Sequence, residues 1–170
     1  MTLSVLIDEA TIARRVKEMA AEISRDYADQ EELVLVGVLR GAFIFLADLA
    51  RRLTIPRRVE FVALQSYQGT TSGAVRVLMD LESDIRGKHV LIVEDIVDSG
   101  RTVRYLMENL KARGPASVRI CTFVRKQRRE SADIDVDYLG MEIPDAWVVG
   151  YGLDYNDQYR TLPYVAKLEI

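Results

Sequence analysis

The sequence predicts an α/β fold: a mostly parallel central sheet flanked by helices. Three observations predict it. Residues 33–38 and 90–93 are short apolar runs without alternation, as strands covered on both faces must be. These runs alternate with segments whose apolar residues recur at helical spacing. The chain has 170 residues, 49% of them apolar and 29% charged, which suits one domain with a substantial core.

The elements follow in order. Asp8 is placed to cap a first helix, with Ile12, Val16, Met19 and Ile23 on one face. Residues 33–38 form a buried strand. Gly41 follows and a helix runs through Leu53, halted near Pro56. Residues 59–64 make the next strand. Residues 65–74 are rich in Gly, Ser and Thr and lack periodicity, so they read as a mobile loop. A strand at 75–79 then completes a long hairpin. Residues 90–93 are the central strand, expected to end at Glu94 and Asp95. Val103, Leu106, Met107 and Leu110 mark a helix that stops at Gly114-Pro115. Later strands are expected at 118–124, 136–139 and 147–150.

Composition narrows the function. A net charge of −3 argues against bulk binding to nucleic acid or to an anionic membrane. No apolar run approaches the ~20 residues of a membrane span, and the N-terminal residues show no apolar signal core. The single cysteine, Cys121, cannot form an internal disulfide, which fits a reducing cytoplasm.

The chemistry concentrates in residues 94–102. Glu94, Asp95 and Asp98 lead into Ser99-Gly100-Arg101-Thr102, directly before a helix. A helix N-terminus offers free N–H groups and the positive dipole end to a phosphate. Gly100 permits close backbone approach, and Ser99 and Thr102 add hydroxyls. Three carboxylates would repel a bare phosphate, but they suit sugar hydroxyls and a bridging divalent cation. The implied ligand is a phosphorylated sugar with magnesium. An ordinary capped helix, with Asp98 or Ser99 as the cap, would need one such group rather than this cluster. The chain has neither Gly-x-x-x-x-Gly-Lys-Ser/Thr nor a Gly-x-Gly-x-x-Gly following a strand. Adjacent strand residues face opposite ways, so Glu94 and Asp95 converge only where the strand ends.

Val-Glu-Asp-Ile-Val-Asp-Ser-Gly-Arg-Thr resembles the phosphoribosyl-pyrophosphate (PRPP) loop of the type I phosphoribosyltransferases. From about residue 5 to 168 the chain is similar to the bacterial hypoxanthine-guanine branch. The similarity also rests on 38–43, Ser66-Tyr67, 84–88 and 143–155 (Ile-Pro-Asp-Ala-Trp-Val-Val-Gly-Tyr-Gly-Leu-Asp-Tyr). It implies a single type I phosphoribosyltransferase domain over 1–170. The core would span about 30–130, and a small hood would come from the N-terminal residues and about 136–170, with a flexible hairpin lid.

The same resemblance implies the reaction and its residues. PRPP and a 6-oxopurine, hypoxanthine or guanine, would give IMP or GMP plus pyrophosphate, in purine salvage. Asp98 would manage the proton on the purine's imidazole-ring nitrogen. Glu94 and Asp95 would hold the ribose hydroxyls and magnesium. Ser99, Gly100, Arg101 and Thr102 would cradle the 5′-phosphate, Arg101 through its backbone with its side chain in solvent. Leu39, Arg40 and Gly41 would form the pyrophosphate loop, with a cis Leu39–Arg40 peptide. Arg160 would also contact pyrophosphate. Ser66 and Tyr67 would open the lid. Trp147 would stack on the purine, the Val148 backbone would read its edge, and Lys126 would donate to the oxygen at position six. Asp154 would bind a second magnesium. His89 reads as structural. The partners implied are small molecules and further copies of the chain, as a homodimer or homotetramer with an interface near 42–53.

Two alternatives bear on the same residues. An RNA-binding pyrimidine attenuation regulator shares this fold and would need a basic face, for which 125–129 is the candidate. A xanthine-guanine enzyme is the nearer cousin, disfavoured by Glu142-Ile143-Pro144-Asp145.

Overall fold

The computed structural model describes residues 1–66 and 74–169; residues 67–73 and 170 lie outside the described set. The elements are β1 (Thr2–Ile7), α1 (Glu9–Asp26), β2 (Leu33–Leu39), α2 (Phe43–Arg52), β3 (Arg57–Ser66), β4 (Val75–Met79), β5 (His89–Val97), α3 (Arg101–Lys111), β6 (Ser117–Lys126), α4 (Arg129–Ala132), β7 (Tyr138–Ile143), β8 (Val148–Val149) and β9 (Val165–Glu169).

Six strands form the main sheet in the order β4-β3-β2-β5-β6-β7. The pairings from β3 through β7 are parallel, and β4 is antiparallel to β3. The interior of β2 and β5 is buried on both faces, which is why these strands read as apolar runs. One core lies on the α1 and α2 side, built from Met19, Ile23, Phe45, Leu49 and Phe123 among others. The other lies under α3, around Val90, Ile92, Val103, Leu106 and Leu110. Asp8 caps α1 as expected, its Oδ1 accepting from the Thr11 N–H at 2.7 Å.

The hood is a separate antiparallel sheet, β1-β9-β8. Here the structure corrects the expected boundary. The strand near residue 136 is β7, which pairs with β6 as an edge of the main sheet. The hood therefore takes only β8, β9 and the loop between them from the C-terminal part, and β1 from the N-terminal part. Arg15 on α1 donates to the Leu139 and Gly140 carbonyls of β7 at 2.7 and 2.8 Å, covering backbone acceptors on that edge.

β5 also runs further than expected, through Glu94 and Asp95 to Val97. Its ladder with β2 ends at Gly37↔Val93, whereas its ladder with β6 continues to Val97↔Arg125. From Glu94 onward β5 is paired on one side only. The two acids converge because the neighbouring strand has left, not because their own strand has ended.

Candidate active site

In a parallel sheet the loops that follow the strands meet at one edge. Here the loop after β2 and the end of β5 with the turn that follows it do so. Together with the hood loop they enclose a cavity of about 330 Å³. Its wall is made by Leu39, Arg40 and Gly41, by 94–103, and by Asp154 and Arg160.

The β2 loop turns through a cis peptide between Leu39 and Arg40. Gly41 then sits against β5: a Cβ at Gly41 would lie 1.8 Å from Asp95 Oδ2. From the hood side, a Cβ at Gly152 would lie 2.0 Å from the Gly41 carbonyl oxygen. Gly152 also has φ of +100°, so only glycine suits it on both counts. The hood loop is thus docked backbone-to-backbone on the loop after β2.

Glu94 and Asp95 are the most perturbed acids of the site. Burial pushes the Glu94 carboxyl well above its usual range, and the adjacent Asp95 charge adds to this. Burial also raises Asp95, against opposing hydrogen bonds, one of them from the Ile96 N–H at 2.8 Å. Two desolvated carboxyls side by side are costly unless hydroxyl donors or a cation meet them. As two adjacent hard oxygen donors in the cavity wall, whose mutual repulsion a cation would offset, this pair fits magnesium.

α3 begins at Gly100, which has φ of +80°, and no side chain caps it. The capped-helix reading of Asp98 or Ser99 therefore fails: Ser99 Oγ lies 3.5 Å from the Arg101 nitrogen. The first N–H groups of α3 face the cavity with the hydroxyl residues Ser99 and Thr102 beside them, the arrangement an anion needs.

Asp98 turns the other way. Its Oδ2 accepts from Lys126 Nζ at 3.1 Å, and its Oδ1 lies 2.6 Å from Arg128 Nη1. Lys126 is almost wholly buried, with its ammonium 5.6 Å from the Trp147 ring centroid. Trp147 is 61% exposed, so it is not a core aromatic and its face is available. Val148 is buried in β8 directly after it.

Arg160 lies between Asp154 at 3.1 Å and Asp157 at 3.2 Å, and donates to the Gly152 carbonyl at 2.8 Å. Arg40 reaches Asp157 at 2.9 Å. Asp157 therefore joins Arg40 to Arg160, and Arg40, with Arg160 second, holds its carboxyl below the usual range. Asp154 engages Arg160 and the Asp157 N–H (2.7 Å), so its oxygens are occupied by protein donors. Among the described residues no three His, Cys, Asp or Glu side chains cluster as a ready-made metal cage.

Ser66 ends β3 and is exposed, outside the cavity wall, whereas Leu64 contributes to that wall. Tyr67 lies outside the described residues. The run at 125–129, the candidate basic face of the RNA-binding alternative, is largely engaged within the fold. Arg125 pairs with Glu142, Lys126 is buried, and Arg128 contacts Asp98 and Asp145. His89 lies at the opposite end of β5, with Nδ1 2.7 Å from Ser117 Oγ, which agrees with a structural role.

Residues 6–156 match the family model of the phosphoribosyl transferase domain. The chain belongs to that family. The hypoxanthine phosphoribosyltransferase of Salmonella typhimurium is 48% identical over 170 residues, covering 98% of this chain and 96% of the relative. A crystal structure of a hypoxanthine-guanine phosphoribosyltransferase from Bacillus anthracis matches with a TM-score of 0.92. It is 39% identical and is covered over 98% of both chains. The hypoxanthine phosphoribosyltransferase of Trypanosoma cruzi, solved in complex with the product IMP, matches with a TM-score of 0.91. It is 42% identical over 97% of this chain and 93% of that one. The chain is therefore a transferase, and residues 39–41 and 94–102 line its cavity. Among the described residues, no helix is long and apolar enough to cross a membrane.

Proposed function

We propose that this phosphoribosyltransferase moves the 5-phosphoribosyl group of PRPP onto hypoxanthine, guanine or both, giving IMP or GMP and pyrophosphate in purine salvage. The observation that carries the reading is Asp98. It borders the cavity and also touches Lys126, which stands over Trp147. A phosphate cradle and a flat-ring site thus share one carboxylate. The relatives' names point the same way, and one relative holds IMP.

In this reading Glu94 and Asp95 bind the ribose hydroxyls, and residues 99–102 hold the 5′-phosphate. Leu39, Arg40, Gly41 and Arg160 take the pyrophosphate. Trp147 stacks on the purine. Lys126 donates to the oxygen at position six and the Val148 backbone reads the ring edge. The ribose–pyrophosphate bond breaks as the ribose–nitrogen bond forms, and Asp98 accepts the proton leaving the imidazole nitrogen. Magnesium held by Glu94 and Asp95, and a second ion at Asp154, would offset charge on the leaving pyrophosphate. Recruiting Asp154 requires Arg160 to release it, which pyrophosphate binding to Arg160 would favour. Ser66 and Tyr67 would begin the lid. We further propose a homodimer or homotetramer. Phe43 and Phe61, both partly exposed on the α2 side of the sheet, suit such an interface. A cytoplasmic site of action fits the buried free thiol of Cys121.

The test is product formation from PRPP and magnesium with hypoxanthine, guanine, xanthine, adenine, uracil and orotate in parallel. Nucleotide from hypoxanthine or guanine, lost on chelation, is the expected result. Activity with xanthine in preference to both would make this the xanthine-guanine type. Activity with uracil alone, or with no base, would overturn the reading and return attention to RNA binding. Against that alternative, Arg125 and Arg128 of its candidate basic face already pair with carboxylates.

A further inference from the structure

Arg128 stands at the corner where β6 gives way to α4. The corner is pinned by Ser131, a fully buried residue whose hydroxyl lies between the Lys126 and Arg128 carbonyls and accepts from the Arg128 N–H at 3.3 Å. From there the guanidinium spreads its two terminal nitrogens to two carboxylates. Nη1 is 2.6 Å from Asp98 Oδ1 and Nη2 is 2.6 Å from Asp145 Oδ1. Asp98 comes from the loop after β5. Asp145 comes from the segment between β7 and β8, just before Trp147.

These contacts close a ring. Asp98 is held by Lys126, Lys126 faces Trp147, Trp147 is joined through the chain to Asp145, and Arg128 ties Asp145 back to Asp98. Charge alone does not explain Arg128, because Lys126 already supplies a cation to Asp98. What Arg128 adds is a rigid planar fork that spans two acids, which a lysine ammonium cannot do. It also places a second positive charge 2.6 Å from Asp98 Oδ1, while Lys126 donates to Oδ2.

We propose that Arg128 is a positioning residue for the purine: it fixes the Asp98 carboxylate relative to the loop carrying Trp147, and so sets the affinity for the base. The proposal rests on the reading of Asp98, Lys126 and Trp147 given above. Arg128 itself is absent from the wall of the phosphate-side cavity, so its loss removes no side chain from the PRPP cradle.

The experiment is steady-state kinetics of wild type, Arg128→Met, Arg128→Lys, Asp145→Asn and the Arg128→Met/Asp145→Asn double variant. Hypoxanthine is varied at saturating PRPP and PRPP at saturating hypoxanthine, and thermal melts are recorded alongside. Arg128→Met is expected to raise KM for the base about tenfold or more, with KM for PRPP changed less than about twofold. Arg128→Lys should not restore the base KM, because it cannot span both acids. Asp145→Asn should give part of the effect, and the double variant should be no worse than Arg128→Met alone. Equal rises in both KM values, full rescue by lysine, or additive single effects would overturn the proposal. If Arg128→Met fails to fold, the surface variant Asp145→Asn decides by the same split in KM. Wild-type protein inactive on every purine would remove the proposed function itself, and this inference with it.

Discussion

Replacing Glu94 by Gln is expected to stabilise the ligand-free protein at neutral pH while abolishing its use of PRPP. The Glu94 carboxyl is buried, and burial is the main cause of its raised pKa, with the Asp95 charge second. In the unfolded chain the group titrates near 4.5. Below that pH both states hold the proton and Glu94 imposes no penalty. As pH rises from there to the folded pKa, only the unfolded chain releases the proton, so the folded state loses stability through that window. Gln has nearly the same shape and does not titrate, so the variant lacks this loss. Each tenfold difference in proton affinity between the two states is about 1.4 kcal/mol. In a chain of this size 1 kcal/mol shifts the melting midpoint by about 2–4 °C. The gain, about 2–4 °C for each 1 kcal/mol, grows as pH rises above about 4.5 and vanishes towards it. Melting curves of both proteins across that range, with and without magnesium and PRPP, provide the assay. The ligands should raise the wild-type midpoint and leave the variant's unchanged. A variant that melts below wild type at pH 8, or a difference independent of pH, would refute the reasoning.

Two further outcomes follow from close contacts. Gly41→Ala would put a Cβ 1.8 Å from Asp95 Oδ2 on a backbone that Gly152 blocks from the other side. Relief costs about 1–3 kcal/mol, so PRPP affinity should fall about 10–100-fold by calorimetry, and unchanged affinity would show that Asp95 yields freely. Ser131→Ala removes the hydroxyl that joins the Lys126 and Arg128 backbone. It should cost about 1–2 kcal/mol in urea unfolding and raise KM for the base more than for PRPP. Kinetics identical to wild type would uncouple the corner from purine binding.

The main sheet was legible because each of its central strands carries its own signal. Residues 33–38 and 90–93 are apolar on both faces, and the α1 stripe of Ile12, Val16, Met19 and Ile23 is fully buried. β1 and β9 carried no such signal. β1 is exposed at all but its last residue, and its register runs from Thr2↔Glu169 to Ile7↔Val165. Partners at opposite ends of the chain leave no local pattern of turn and return to recognise. The length of β5 was hidden for a related reason. Glu94 and Asp95 read as a strand end, and a strand that has lost one neighbour but kept the other tolerates acids that a doubly paired strand would exclude.

The same distinction divides the site. Residues 94–102 and 39–41 were legible because each is one contiguous stretch across the end of one strand, and a parallel sheet delivers such strand ends to a common edge. Arg128, Asp145 and Asp157 were not, because each acts only through a group brought from another loop. Arg128 looked like part of a basic run until Asp98 and Asp145 were placed on either side of it. Asp157 belongs to no motif of its own, and its role appears only where Arg40 arrives from the end of β2. Core and hood are joined by a shared apolar cluster that includes Val148, Tyr151, Leu153 and Val165, by the Tyr151 hydroxyl donating to Asp48, by charge pairs, and by one backbone contact, Gly41 against Gly152. That contact holds the loops close without a side chain between them. The charged groups are consequently left to meet one another across the cavity, where anionic and hydroxyl-bearing ligands could compete for them.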